Sequence, residues 1–530
     1  MIQRKTHALS FWQKEFGVTN KDKEFIYNQI LEENRLFSLD DIALSLVRRY
    51  CEAEELESRS ELQQGRLYQP KDTYAVNEKI VFSMLDFAIG TVNYTRQASH
   101  PDYGNFTVIG VELETDGRTR EFATGFAHQH LLNDAEQRLA GLQGEMSPDE
   151  IYATYREVIR PKVKAFLDDS EDFVEFQEHY SLHDLLPDFH EGLFNIADAA
   201  IDINQGPLEV DALIEQMGLD KNSEITDLLR FAVSYRLDND ERFDDVGPAG
   251  ESLWYLTRLE PPELRHPPRR LQFTPEPYDA SDFDDNLYAL LIEIDDEATD
   301  PEDIAPVGPE IKEITVVLNY PHQRVGTLPL TPKTESFFPT SEYNPVRFDF
   351  VDGHTGDTFP GWSVSKGRYV FGLDEWYTQN NLPVGAYITI KRSKDPMQVI
   401  IDYQHTRTQR DWIKLATVVN NRLGFQMNKE PVSCKYDELM IIGEADRDQI
   451  DGLWLSAEDK QRPIYDLLRI IFPELSKLNP QSTVHAKTLY SAVNIIRRAS
   501  PGVVFKELTE RACFVPVDHG YWTFDPSLVD

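Results

Sequence analysis

The sequence predicts an α+β protein of several domains, in which groups of helices closed by a β-hairpin alternate with small β-barrels. Three observations predict it. A chain of 530 residues is long enough for about three to four domains of ordinary size. Its hydrophobic content of 41% suffices to bury real cores, which excludes a disordered chain. Finally, the apolar pattern switches repeatedly between the helical spacing and the alternation of strands, with Gly and Pro turns between.

Residues 1–66 read as helical. Phe25, Ile26, Ile30 and Leu31 recur at helical spacing, and Ser38 caps a second helix, a helix-turn-helix-like start. Residues 67–130 change period. Short β-rich runs at Lys79, Gly90 and Phe106, with a hairpin signal at Asp116-Gly117, read as a small SH3-like barrel. Residues 131–182 return to helix as a connector, opened by Ser147-Pro-Asp-Glu. Residues 183–262 then give three helices followed by a glycine-rich hairpin (Phe243 to Leu256), the order of a winged helix.

Residues 263–310 are rich in Pro, Asp and Glu and read as an exposed acidic linker holding one ordered run, Leu287 to Ile294. Residues 311–404 carry five strand candidates, beginning near Ile314, Val346, Arg368, Tyr387 and Val399, with a short helix at Asp374 to Gln379. A connecting region, 405–459, leads to a second winged helix at 460–530. Its wing, Cys513 to Phe524, turns at His519-Gly520. The two wings end alike, in Leu253-Trp-Tyr-Leu and Tyr521-Trp-Thr-Phe, a weak internal repeat.

Charge divides the chain. Residues 311–530 hold 25 Lys and Arg against 27 Asp and Glu, whereas residues 1–310 hold 28 against 64. Phosphate repels an acidic surface, so any contact with nucleic acid is expected in the second part and a protein partner for the acidic first part. Charge that serves only solubility fits as well. The three cysteines, Cys51, Cys434 and Cys513, are far apart and form no CxxC pair, which argues against a disulfide framework or zinc ribbon and fits a cytoplasmic setting. No apolar run approaches the ~20 residues of a membrane span, and the first residues lack the apolar core of a signal peptide.

The run Val484 to Arg498 is the best candidate for a DNA-reading helix. Lys487, Ser491, Asn494 and Arg498 fall on one face, with His485 and Arg497 flanking the stripe. Lys and Arg suit phosphate or guanine, and Asn suits adenine. A solvated face of an ordinary core helix explains the stripe too. The corresponding helix of the 183–262 module presents Asp227, Arg230 and Ser234 beside Glu241, Asp244 and Asp245. That face repels phosphate and reads as a protein-docking or structural surface.

The C-terminal segment resembles the HARE-type winged helices of bacterial transcription and restriction proteins, on Thr488-Leu-Tyr-Ser-Ala, Phe505-Lys-Glu-Leu and Gly520-Tyr-Trp-Thr-Phe. The resemblance implies binding to DNA or docking on DNA-associated proteins. Residues 324–404 resemble the plant-type DNA-binding pseudobarrel. The match runs from Phe359-Pro-Gly-Trp362 through Lys366, Arg368, Gly372 and Trp376 to Leu382-Pro-Val-Gly385, with Ala386 where that family has an acidic residue. It implies DNA contacts on two strand-loop arms, around Lys333 and around Trp362 to Arg368. Ser363, Ser365, Lys366 and Arg368 offer donors for phosphate and base edges. The barrel is locally neutral, with nine basic and nine acidic residues over 311–400, so a protein-binding role stays open.

Signals of catalysis are poor. There is no P-loop, no GxSxG and no dinucleotide-binding glycine pattern. His128 and His130 lack a third ligand at metal-binding spacing. Glu310-Ile-Lys312 and Glu458-Asp-Lys460 match only half of a nuclease motif. No catalytic residue, metal or cofactor is therefore expected. The leading expectation is a DNA-binding regulatory or chromosome-associated protein that contacts duplex DNA through its C-terminal part. The alternatives are an acidic scaffold that binds only proteins and a restriction or defence nuclease subunit.

Overall fold

A computed structural model describes residues 4–529 except 63–64, 83–84, 86–87, 102, 116, 127, 129, 131–132, 134–145, 221–224, 300–305, 342–343 and 459–461. It is mixed α+β with several sheets, one of them a half-barrel. Two units emerge, the first from Met1–His190 with Leu219–Asn239, the second from Glu191–Gly218 with Asp240–Asp530.

The first unit opens with α1 (Asn20–Glu33), β1 (Phe37–Ser38) and α2 (Leu39–Leu62). Thr19 and Asp22 form a reciprocal cap at the start of α1, and Ser38 with Asp41 does the same for α2. Such caps satisfy amides that have no partner inside the helix. A sheet of β2 (Arg66–Leu67), β3 (Lys79–Phe82), β4 (Ala88–His100), β5 (Gly104–Leu113) and β6 (Thr119–Thr124) follows, its strands paired in chain order. Asp116 of the expected turn lies outside the described residues, and Gly117 beside it has φ of +64°.

Then α3 (Pro148–Asp168) begins at a Ser147–Glu150 capping box, and β7 (Phe173–Phe176) and β8 (His179–Leu182) close a three-stranded sheet in the order β1-β8-β7. The segment expected as a connector is thus the completion of the opening helices. Ile151, Ile159, Val163 and Leu167 of α3 share one core with Trp12, Ile26, Ile30, Ile42 and Leu46. The β2–β6 sheet is inserted between α2 and α3.

The same succession recurs as α4 (Glu191–Asn204), β9 (Leu208–Glu209), α5 (Val210–Met217), α6 (Asp227–Asp238), β10 (Phe243–Asp245) and β11 (Leu253–Leu256), with the sheet ordered β9-β11-β10. Gly218, at φ of +71°, ends α5 in the left-handed cap that glycine adopts without strain. Helix α6 belongs to the first unit and the other elements of this run to the second.

In the second unit α7 (Asp285–Ile294) precedes a seven-stranded sheet ordered β12-β17-β18-β14-β15-β16-β13. In chain order its members are β12 (Glu313–Val317), β13 (Thr327–Pro329), β14 (Val346–Asp352), β15 (Thr358–Val364), β16 (Tyr369–Phe371), β17 (Tyr387–Arg392) and β18 (Gln398–Tyr403). Helices α8 (Tyr320–Val325) and α9 (Asp374–Gln379) are set into the connections. Next come a long hairpin, β19 (His405–Val419) with β20 (Arg422–Cys434), then β21 (Ile442–Glu444) and α10 (Arg447–Glu458). A third succession ends the chain: α11 (Ile464–Ser476), β22 (Val484–His485), α12 (Ala486–Ile496), α13 (Pro501–Glu510), β23 (Phe514–Pro516) and β24 (Tyr521–Phe524). Its sheet is ordered β22-β24-β23. All three successions therefore share one element order and place the last strand in the centre of the sheet.

The expected acidic linker is exposed over much of its length, while the ordered run expected within it and the residues directly after that run are internal. Leu287, Leu291 and Ile294 of α7 join the core formed by α11, α12 and α13. They carry Asp295, Asp296, Glu297 and Thr299 inside with them, each under 10% exposed. All three cysteines are buried and free. Among the described residues no helix is long and apolar enough to cross a membrane.

Candidate nucleic-acid interface

Helix α12, expected to face DNA, is interior along its whole length: every residue from Ala486 to Ile496 is buried. It is the middle helix of its succession, and α13, started by Ser500 and Pro501 at its first turn, is the third. The expectation of a solvent-facing stripe on this helix is therefore corrected. The cause is local. A helix that is hydrophobic on one face and carries small polar and charged residues on the other resembles a surface helix until its counterions are located.

Those counterions come from the acidic segment and from the turn before β21. Lys487 is 3% exposed, and its Nζ donates to Glu293 and Asp437, each at 2.7 Å. Burial would lower the Lys487 pKa, but these two carboxylates outweigh it and raise it. Ser491 donates to the Met440 carbonyl at 2.8 Å. Asn494 donates to the carbonyls of Tyr490 and Ala499 and accepts from the Ala499 amide, which staples the end of the helix. His485 caps α12 by accepting the Lys487 amide at 3.2 Å. Burial, aided by the nearby Lys487 charge, pushes its pKa down to about 4, so the ring is neutral at pH 7.

Arg498 is the centre of a second group. Its Nη1 donates to Asp296 at 2.9 Å and its Nη2 to Glu297 at 2.7 Å. Tyr490 donates to the same Asp296. His322, fully buried, contacts Glu297 through Nε2 and Thr327 through Nδ1, both at 2.7 Å. Burial alone would raise the Glu297 carboxyl, but the Arg498 charge and the contact with His322 override it and hold it well below the usual carboxylate range. A third group joins Arg324 to Glu444 at 2.9 Å and to Asp451 at 2.5 Å, with Arg270 on the same Asp451. Buried charges persist only when paired and hydrogen-bonded in this way.

None of His485, Lys487, Ser491, Asn494 or Arg498 is therefore free to meet a phosphate. Arg497 lies half-buried and donates to Glu276 and the Arg462 carbonyl, both at 2.6 Å. Helix α13 is covered as well. Lys506 donates to the Pro277 carbonyl, Phe283 packs edge-on against Phe505, and a Cβ on Gly502 would fall 2.3 Å from the Tyr278 ring.

The residues of the 311–404 segment that were expected to reach DNA divide. Lys333 donates to the Ile292 carbonyl at 2.6 Å and lies 3.9 Å from Asp295, so it reaches the same acidic run as Arg498. Ser363 is fully buried and donates to the Pro339 carbonyl. Ser365 and Arg368 are half-buried, Trp362 packs against Tyr255, and only Lys366 of this set is exposed. Lys333 and Ser363 thus act inside the fold.

The sequence reading missed Asp295, Asp296, Glu297, Glu293, Asp437, His322 and Arg324. One signal was present: the acidic triplet directly follows an apolar helix, which must carry its first carboxylates towards the core. Elsewhere, His128 contacts the Tyr103 carbonyl at 2.9 Å, and Glu310 is exposed. Of the Glu458-Asp-Lys460 match, Glu458 ends α10, and the other two residues lie outside the described residues. Among the described residues no three His, Cys, Asp or Glu side chains converge as metal ligands would.

Comparison with known proteins returned no match to this chain among family models, curated proteins or solved structures.

Proposed function

We propose that this chain is a non-enzymatic acidic adaptor. In this reading the three recurring successions are winged-helix modules, the β2–β6 sheet is an SH3-like barrel and the seven-stranded sheet is a pseudobarrel. They serve to display surfaces to protein partners rather than to read duplex DNA with α12. One observation carries the reading: the cationic stripe of α12 is neutralised by the chain's own Glu293, Asp296, Glu297 and Asp437. A module whose charged helix is spent on internal pairing keeps the fold without the phosphate-binding face. The excess of negative charge before residue 311 suits a basic partner surface.

The test is purification of the tagged full-length chain from the cells that make it natively, with nuclease treatment. One stoichiometric protein partner should remain bound. A chain that emerges alone at low and moderate salt overturns the adaptor reading. Tight, salt-sensitive retention of duplex DNA in a filter-binding titration would restore the regulator reading in its place.

A further inference from the structure

A cleft of about 430 Å³ opens in the second unit between the β19–β20 turn, α10, α11 and the end of α12. That volume is within the roughly 300–1,000 Å³ of small-ligand sites. Its floor is aliphatic: Leu423, Leu467, Ile471 and Ile496 line it, each 5% exposed or less. Ile470 stands at the mouth, 38% exposed. Among the described residues no aromatic ring lines the cleft, and in a chain with 91 Asp and Glu no acidic side chain does.

Two arginines belong to this cleft, Arg422 and Arg462, and the backbone fixes where each begins. Asn420 and Asn421, at φ of +51° and +60°, form the two-residue turn that closes the hairpin, and Arg422 is paired across it with Val419. Asn takes this left-handed conformation more readily than most residues, and a turn of two such residues matches the twist of the strands. Arg462 precedes Pro463, whose ring confines it to extended backbone, and its carbonyl accepts from Arg497 at 2.6 Å. Both side chains are exposed, and neither makes an ion pair with a described carboxylate. Arg469 on α11 and Arg497 after α12 are instead committed, to Asp466 and Glu276.

We propose that this cleft binds an aliphatic carboxylate, its head group held by Arg422 and Arg462 and its chain laid over the leucine and isoleucine floor. A guanidinium presents parallel N–H groups that match a carboxylate, and it keeps its charge at any physiological pH. The floor selects against a bare anion, which would leave it wet. The lack of a ring selects against a nucleobase, which binds by stacking. Asn420, Asn421 and Ser456 add neutral polar groups beside the two cations. The same chemistry can reach the cleft as a free aliphatic acid or as the last residue of a polypeptide that ends in Leu, Ile or Val. The inference goes beyond the adaptor reading and stands without it, because it requires only the cleft.

The experiment is isothermal titration calorimetry of the purified full-length chain with octanoate, with its neutral isostere octanamide, with inorganic phosphate, and with the peptide acetyl-Ser-Leu-Leu carrying a free or an amidated C-terminus. The R422A/R462A double variant alters only exposed side chains, so an unchanged thermal melt is expected and shows that the fold is kept. A second variant, I470D, places a carboxylate at the mouth. Octanoate or the free-acid peptide should bind the wild type. The matching amides should bind at least about tenfold more weakly, as should either acid to either variant, the scale of one charge-assisted hydrogen bond. Whichever acid binds more tightly identifies the source of the ligand. No binding of either acid at millimolar concentration overturns the proposal, as do amides that match the acids or variants that match the wild type. Phosphate that binds as tightly as octanoate also overturns it, in favour of a site for any small anion.

Discussion

At the scale of single residues, the interior of the second unit is held by charges that tolerate no loss of a partner. Replacing Arg498 by Ala leaves Asp296 and Glu297 buried without their cation, a type of change that costs about 3–5 kcal/mol. Chemical denaturation of the full chain should show that loss, whereas Arg462→Ala should stay within about 0.5 kcal/mol. A loss below about 1 kcal/mol for Arg498→Ala would mean that the network is worth no more than a surface pair. His485 sets a pH dependence. Its folded pKa is depressed from 6.5 to about 4, so the unfolded chain binds the proton more readily. The stability it contributes is complete above pH 6.5 and declines as pH falls towards 4, by up to ~3 kcal/mol. Denaturation midpoints at pH 7 and pH 5 should therefore differ less in His485→Gln than in the wild type. An unaltered difference would place the titration elsewhere.

At the scale of elements, the covering of α13 can be tested through Gly502. An added methyl would meet the Tyr278 ring at 2.3 Å, so Gly502→Ala must displace the 277–283 segment, at a cost of about 1–3 kcal/mol. In a Tyr278→Ala background the same change should cost less, and the double-mutant cycle measures the coupling. Equal costs in the two backgrounds would refute the clash. The elements also show what the sequence disclosed. The long periodic helices, the capping signals at Ser38 and Ser147 and the strand runs of residues 311–404 were legible, because each depends on neighbours within a few positions. The acidic run 295–297 was not. Composition marks it as solvated, and only α7, packed on α11–α13, takes it inside. The same limit led to the choice of α12, since burial of Lys487 depends on Asp437, fifty residues away.

At the scale of the whole molecule, the formal charge of −38 places self-repulsion on the folded state. Raising the salt from ~0.01 M to physiological ionic strength shortens the screening length from ~30 to ~8 Å. The melting temperature should accordingly rise over this range, as differential scanning calorimetry can establish. A fall would indicate that the ion pairs outweigh the repulsion.

The insertion of β2–β6 between α2 and α3 also bears on how the chain is made. Ile42, Leu46 and Val47 cannot complete their core until Ile151, Ile159 and Val163 have been synthesised. On the ribosome the intervening sheet has its own set of apolar contacts and can form first. The opening helices must then wait, with apolar faces uncovered, for roughly a hundred further residues, a long-range closure of the kind that slows folding. This amino-terminal stretch is consequently where the nascent chain is most exposed to chaperones and most open to wrong pairing.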